Sequence, residues 1–450
     1  MRYQVENDAL LTSLLKRTFF ASWARPRGEL IPNYDKLEFI ITPDCNLDCT
    51  YCYLSRHGDE LYPLDIRDPE RVLEHLDIVL NWLFDNRLKP NIEFFSGSPL
   101  SQEITLAALE QLCKRYAEVP RDLRPKQIVV PTNYTWMLDD DLTGTVEDFI
   151  ARFQELDISL LLSASFDGKH MEANRPRRRE ADSEGIYLFE GLKRDDQYYD
   201  KVFAFNKKYG FGFHPMVYSR GIESWIENFQ WFQEMFAKHD IPFWSLYLLE
   251  VRNPEWSEAQ MQSFEEFIEF LVLWAWDRVD KDSDRFRDFM VSKRGFNILI
   301  NSLWQRARGT TCGIQTALYA RMGDLALVPC HRTSYAGFEF GKFRVDGGKI
   351  TGVEARNLEL ALGVFSLHTQ NQTMCEQCLL KGVCPGGCLG AQLETVGDVF
   401  TPIPTVCELM HRKLYTILVS LKSIGQYDNI TGIVPEHIQQ VYKEILKLGG

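Results

Sequence analysis

Residues 43–53 read PDCNLDCTYCY, and the reading of this chain turns on them. Cys45, Cys49 and Cys52 are spaced C-x3-C-x2-C and follow directly on a short apolar run, Lys36–Thr42 (KLEFIIT). Three thiolates so close together can fold around one metal centre. Three protein ligands rather than four leave a position open, and a catalytic metal needs an open position. Soft thiolates select zinc or iron–sulfur clusters, and spacing alone leaves both open.

The run before the cysteines is the first of six. The others are Pro90–Ser96, Lys126–Thr132, Ile158–Phe166, Phe211–Tyr218 and Phe243–Glu250. Stretches such as FIIT, IVVPT and LLLSAS are apolar on successive residues, as strands covered on both faces are. Helical patterns lie between them, among them Val72–Asn86 and Val146–Leu156, with apolar residues at helical spacing. Alternating strands and helices predict a parallel sheet. Six units suit either an open doubly wound sheet or a partial barrel, and periodicity does not choose.

Composition narrows the class. A chain of 450 residues has room for two or three domains at ~100–200 residues each. The formal net charge of −13 argues against bulk nucleic-acid binding, which needs a cationic surface. The start, MRYQVENDAL, has no apolar signal core. The most apolar stretch, Phe264–Trp276, contains Glu265, Glu266 and Glu269 and is too short and too acidic to span a bilayer. The expected location is the cytoplasm, without a membrane partner. There, clustered cysteines read as metal ligands or catalytic groups rather than disulfides.

From about residue 305 the texture shifts to Cys, Gly, Pro and short turns, as in a small domain that cannot rely on a large apolar core. Seven of the eleven cysteines fall here: Cys312, Cys330, Cys375, Cys378, Cys384, Cys388 and Cys407. Seven is an awkward count for zinc, since two closed tetrahedral sites need eight ligands. Cys113 lies alone in a helical pattern and reads as a buried apolar residue. A final amphipathic segment, Pro435–Leu448, predicts a helix packed on the body.

The first cysteine group, with Tyr51 as the aromatic before Cys52, resembles the cluster loop of the radical S-adenosylmethionine superfamily. The resemblance implies a partial (β/α)6 barrel and a [4Fe–4S] cluster on Cys45, Cys49 and Cys52. S-adenosylmethionine would chelate the fourth iron and yield a 5′-deoxyadenosyl radical. Run two ends in Ser96-Gly97-Ser98-Pro99, where the family usually has Gly-Gly-Glu-Pro holding the methionine amino group. Ser98 replaces the acid, and a neutral hydroxyl accepts a hydrogen bond but brings no charge. Ser165-Phe166-Asp167-Gly168 followed by Arg175 resembles the element in which Ser and Arg hold the cofactor's ribose and carboxylate side, Arg through its bidentate fork. Asp167 could equally cap or turn the chain.

The second group, with Gly323 between Cys312 and Cys330, resembles the SPASM domain of radical enzymes that act on peptides and proteins. The resemblance implies two auxiliary [4Fe–4S] clusters, three in all. One would be held by Cys375, Cys378, Cys384 and Cys407, the other by Cys312, Cys330 and Cys388, with no fourth cysteine. Gly323 lies further from Cys330 than the family's glycine does, so its role is open.

The expected organisation is an N-terminal extension (1–35), a barrel (36–304), a SPASM domain (305–425) and a C-terminal helix (426–450). The leading function is modification of a ribosomally made peptide, by crosslinking, epimerisation or excision. The runner-up resembles the anaerobic sulfatase-maturing enzymes, which oxidise a residue in a protein. A non-catalytic electron carrier would leave the open three-cysteine loop without a role. Expected partners are the peptide or protein substrate, a separate leader-recognition protein, since residues 1–35 are too few for such a domain, and an electron donor such as a flavodoxin or ferredoxin. His214, Tyr218, Glu250 and Arg252, at the ends of runs five and six, are candidates to face substrate with no role assigned, and His214 and Tyr218 could equally be packed polar residues.

Overall fold

The computed structural model describes residues 7–9, 11, 36–97, 99–175, 194–291, 296–303, 317–357, 359–360, 363, 374–380, 383–384 and 386–449. They fall into two compact units. The first comprises Met1–Ala164, Arg175–Val202 and Gly313–Ser366; the second comprises Ser165–Asn174, Phe203–Cys312 and Leu367–Gly450.

The first unit is built on strands β1 (Lys36–Thr42), β2 (Asn91–Ser96), β3 (Gln127–Thr132) and β4 (Ser159–Ala164), close to the runs read from sequence. They pair in parallel, β1 with β2, β2 with β3 and β3 with β4. Helices α1 (Tyr53–Leu61), α2 (Pro69–Asp85), α3 (Glu103–Ala117) and α4 (Asp140–Glu155) lie between them in the chain. Start signals are local: the Asp68 side chain accepts the Glu70 N–H ahead of Pro69, and Asp139 accepts from Asp141 and Leu142. Every β1 residue after Lys36 is buried, the mark of a strand covered on both faces. The β1–β2 register shifts between Ile40 and Thr42, where the chain leaves the sheet for the cysteine loop.

The other side of β1 is also occupied. Strands β7 (Ala317–Arg321), β8 (Ala326–Val328), β9 (Gly341–Asp346) and β10 (Lys349–Ala355) form an antiparallel meander whose first strand pairs in parallel with β1. The sheet order is β10-β9-β8-β7-β1-β2-β3-β4. Sequence reading placed 317–355 with the cysteine-rich region and did not anticipate that it extends the main sheet. Asp8, in the first helical residues described, accepts the Ala355 N–H at 2.7 Å and pairs with Arg344.

Helix α5 (Asp196–Tyr209) bridges the division at Val202. The second unit contains β5 (Met216–Val217) and β6 (Leu249–Glu250), a short parallel pair, and a set of helices. These are α6 (Trp225–Lys238), α7 (Glu258–Arg278), α8 (Ser283–Val291), α9 (Asn297–Leu303), α10 (Leu389–Val396), α11 (Pro404–Ser423), α12 (Tyr427–Thr431) and α13 (Glu436–Leu448). The apolar stretch 264–276 lies in α7 and buries Phe264, Phe267, Ile268, Leu271, Val272 and Ala275, and α7 packs on α11. A capping box between Ser257 and Gln260 starts α7. The C-terminal amphipathic segment is α13, with Ile438, Tyr442 and Ile445 buried. Among the described residues no helix is long and apolar enough to cross a membrane.

Candidate functional site

The loop after β1 is fixed by short-range bonds. The Cys52 N–H donates to the Cys49 carbonyl at 2.9 Å, and the Leu47 N–H points at Cys45 Sγ at 3.4 Å. Asn133, after β3, donates to Asn46 Oδ1 at 3.0 Å and lies 4.0 Å from Cys45 Sγ. Thr135 closes the set with Asn46 Nδ2 at 2.7 Å. The three cysteines are half-buried, and Cys52 occupies the N-cap position of α1 without a side-chain capping bond. A helix N-terminus favours negative charge and therefore the thiolate.

Gly97, after β2, lies hard against this loop. A Cβ built there would stand 2.4 Å from the Asp44 carbonyl oxygen and 2.6 Å from Cys45 Cβ. Only a residue without a side chain lets the two strand ends approach this closely. Ser96 ends β2 and Pro99 opens a 3-10 turn, while Ser98 lies outside the described residues. Tyr51 is half-exposed beside the cysteines.

Gly323, whose role the sequence left open, is a second close approach. A Cβ there would stand 1.8 Å from the Ile66 carbonyl oxygen. Cys330 follows β8, is buried in the apolar cluster against which Cys52 and Tyr53 pack, and lies within reach of the Thr333 hydroxyl at 3.7 Å. Its neighbour His331 stacks on Phe95 with ring centroids 3.6 Å apart, and its Nδ1 lies 2.6 Å from buried Glu38. Burial pushes the Glu38 carboxyl above its ordinary range, with His331 opposing.

In the second unit Cys375, Cys378, Cys384 and Cys407 line a single pocket of about 40 Å³, with Leu380, Ile403, Val406 and Met410 as apolar wall. Cys407 rides on α11, and His411 one turn on reaches the same pocket, its Nε2 3.8 Å from Cys378 Sγ. The Gly386 N–H lies 3.4 Å from Cys384 Sγ. Burial pushes the Cys375 thiol up to about 11 and Cys407 up to about 12, and raises Cys384 as well. Thiols this reluctant to ionise are poor nucleophiles, whereas a coordinated metal deprotonates a thiol outright. Among the described residues no three Cys, His, Asp or Glu side chains close on a point suited to a single ion. Four thiols share this apolar-walled pocket, and soft thiolates suit zinc or an iron–sulfur cluster.

No family model and no curated protein matches the sequence. Among solved structures, a polyhistidine-tagged anSMEcpe with bound S-adenosylmethionine, an anaerobic sulfatase-maturating enzyme of the radical S-adenosylmethionine/SPASM type, aligns at a TM-score of 0.55. The alignment has 16% identity and covers 91% of this chain and 98% of that one. Native anSMEcpe with S-adenosylmethionine and the Cp18Cys peptide aligns at 0.52, with 16% identity over 92% and 100% of the two chains. The chain has the radical S-adenosylmethionine/SPASM fold.

Within that fold the expected site residues are unevenly placed. The three-cysteine loop and Gly97 come together in the first unit, and Cys375, Cys378, Cys384 and Cys407 in the second. For the other SPASM group, Cys330 belongs to the first unit, Cys388 to the second, and Cys312 lies outside the described residues. Ser165 and Arg175 likewise fall in different units. Arg175 is buried, and its carbonyl accepts from Arg194 at 2.8 Å. Asp167 is buried and accepts the Met216 N–H of β5 at 2.9 Å. Tyr218 is buried with its hydroxyl 3.2 Å from Glu255, and the His214 ring lies tilted against Tyr247, centroids 4.9 Å apart. Cys113 is buried on α3, as expected.

Sequence reasoning missed His411, Gln392 and the pair Glu38–His331. The four-residue spacing from Cys407 to His411 puts both on one helix face and could have revealed the first. Gln392, four residues after Cys388, is fully buried with neither amide atom bonded among the described residues.

Proposed function

We propose that this chain is a radical S-adenosylmethionine enzyme that modifies a ribosomally made peptide. In this reading Cys45, Cys49 and Cys52 hold the catalytic [4Fe–4S] cluster. Cys375, Cys378, Cys384 and Cys407 hold one auxiliary cluster, and Cys312, Cys330 and Cys388 contribute to a third. The observation that carries the reading is the convergence of four SPASM cysteines on one pocket in a fold shared with an S-adenosylmethionine-binding enzyme. That enzyme has also been solved with a peptide bound, which supports a substrate of peptide class here.

When bound, the cluster and S-adenosylmethionine supply a carbon-centred radical that removes a hydrogen atom from the substrate. The chain's own contribution is placement. Three thiolates leave one position for the cofactor. The N-terminus of α1 favours the Cys52 thiolate, and the bare backbone at Gly97 sets how near β2 comes to the ligand loop. Ser165 and Arg175 are the residues proposed for the ribose and carboxylate side. Electrons come from a small donor of the flavodoxin or ferredoxin kind, in a reducing cytoplasm.

The test is formation of 5′-deoxyadenosine from S-adenosylmethionine by reconstituted, chemically reduced protein. Replacing Cys45, Cys49 and Cys52 together by Ala abolishes it while the auxiliary iron stays. Continued formation by the triple variant would overturn the catalytic assignment.

A further inference from the structure

Three charged side chains meet in the interior of the second unit. Glu250 Oε1, at the end of β6, lies 3.0 Å from Lys413 Nζ on α11 and 2.9 Å from Arg252 Nη2. Lys413 keeps 1% of its side-chain surface exposed and Glu250 5%. Arg252 turns its other arm to the cysteine loop, donating from Nη1 to the Gly386 carbonyl at 2.9 Å. The N–H of that same Gly386 lies 3.4 Å from Cys384 Sγ, so the charged group is fastened two residues away from a pocket thiol. Among the described residues, one carboxylate against two cations leaves one net positive charge.

Stability gained over an apolar core of the same volume does not account for the group. Buried ion networks are often no better than apolar residues of the same volume, because desolvation offsets the attraction. Burial pulls Lys413 below the ordinary ammonium range against the support of Glu250. Burial likewise raises the Glu250 carboxyl, but Lys413 and Arg252 outweigh it and hold it at about 2. The carboxylate thus keeps two cations in an interior they would otherwise avoid, beside the cysteine loop.

We infer that Glu250, Arg252 and Lys413 set the reduction potential of the cluster held by Cys375, Cys378, Cys384 and Cys407. The inference rests on the reading of those cysteines as cluster ligands. Reducing a thiolate-bound cluster adds one negative charge with no change of ligand. A fixed positive charge in a medium of low dielectric favours the reduced form and raises the potential. The three residues act on the cluster through the field and through the Gly386 backbone, not as ligands. Their effect is to make this cluster a better electron acceptor than it would be without them.

The experiment is a redox titration of the reconstituted holoenzyme, followed by the electron paramagnetic resonance signal of this cluster. Cys407→Ala first assigns the signal; if the signal persists in that variant, the ligand reading fails and the potential is not at issue. Lys413→Met and Arg252→Gln each remove one positive charge and shift the midpoint to a lower potential. The double variant Glu250→Gln/Lys413→Met removes an opposite pair, leaves the net charge unchanged and returns the midpoint toward the wild-type value. Should Lys413→Met not fold, Arg252→Gln carries the single-charge test. A signal present in all variants with one common midpoint would overturn the inference, and so would a downward shift as large in the double variant as in the single ones.

Discussion

Gly97→Ala is the sharpest test of how the sheet positions the cysteine loop. The added Cβ would stand 2.4 Å from the Asp44 carbonyl oxygen, 2.6 Å from Cys45 Cβ and 2.6 Å from the Pro43 carbonyl oxygen. Ordinary contact begins at 3.4 Å, so the loop must retreat by about 1 Å. None of the three atoms can rotate away, since two are backbone oxygens and the third is fixed to the backbone. Overpacking of this kind typically costs about 1–3 kcal/mol, which a chain of this size survives. The chemistry is less tolerant, because a displacement of 1 Å at a reacting centre costs about 100-fold in rate. Under the proposed function the expected result is a folded protein whose S-adenosylmethionine cleavage falls about 100-fold, with less iron on the three-cysteine loop. Gly144→Ala is the control. A Cβ there meets nothing within 4 Å, and the position is interior to α4, so Ala stabilises by about 0.5–1 kcal/mol and leaves cleavage intact. Wild-type cleavage by Gly97→Ala would refute the argument.

Glu250 makes the fold acid-sensitive. Its carboxyl is held at about 2 against an ordinary 4.5, so its stabilisation is complete above pH 4.5 and is lost as pH falls toward 2, roughly 3 kcal/mol in all. Denaturant midpoints measured from pH 6 to pH 2 should fall less steeply for Glu250→Gln than for wild type; parallel curves would remove Glu250 from the account. Gly323→Ala should destabilise the first unit by at least the 1–3 kcal/mol typical of overpacking, about the same whether or not metal is bound, because its Cβ would overlap the Ile66 carbonyl oxygen. An unchanged melting temperature would show that the β7–β8 turn can move aside. Gln392→Leu should stabilise metal-free protein by roughly 1 kcal/mol, since an unbonded buried amide costs about 1–3 kcal/mol. Destabilisation of the metal-free form would reveal a partner for that amide.

Much of this protein could be read from local pattern. The strands β1 to β4 follow from runs of apolar residues, because the covering of both strand faces leaves its mark on successive positions. Helices α2, α4 and α13 follow from apolar spacing and from cap residues within a few positions of their ends. The three-cysteine loop after β1 is equally local, since its ligands must lie within one turn of each other to share a centre. The grouping of Cys375, Cys378, Cys384 and Cys407 was implied by the resemblance to the SPASM domain, and the fold brings these four to one pocket.

What the tertiary structure alone decided is which distant segments become neighbours. Nothing in Ala317–Arg321 marks it as the partner of Lys36–Ile40, because a parallel register leaves no trace in either strand's own alternation. Gly97 and Gly323 look like ordinary turn residues until the backbone opposite each is known. Lys413 lies on an amphipathic helix, where a lysine normally reads as solvated, and Glu250 and Arg252 read as groups at a strand end facing substrate. Their meeting joins positions far apart in the chain. A buried ion pair has no periodicity of its own; it is created by the packing of α11 beside β6, and so it is absent from any window of sequence and present only in the folded chain.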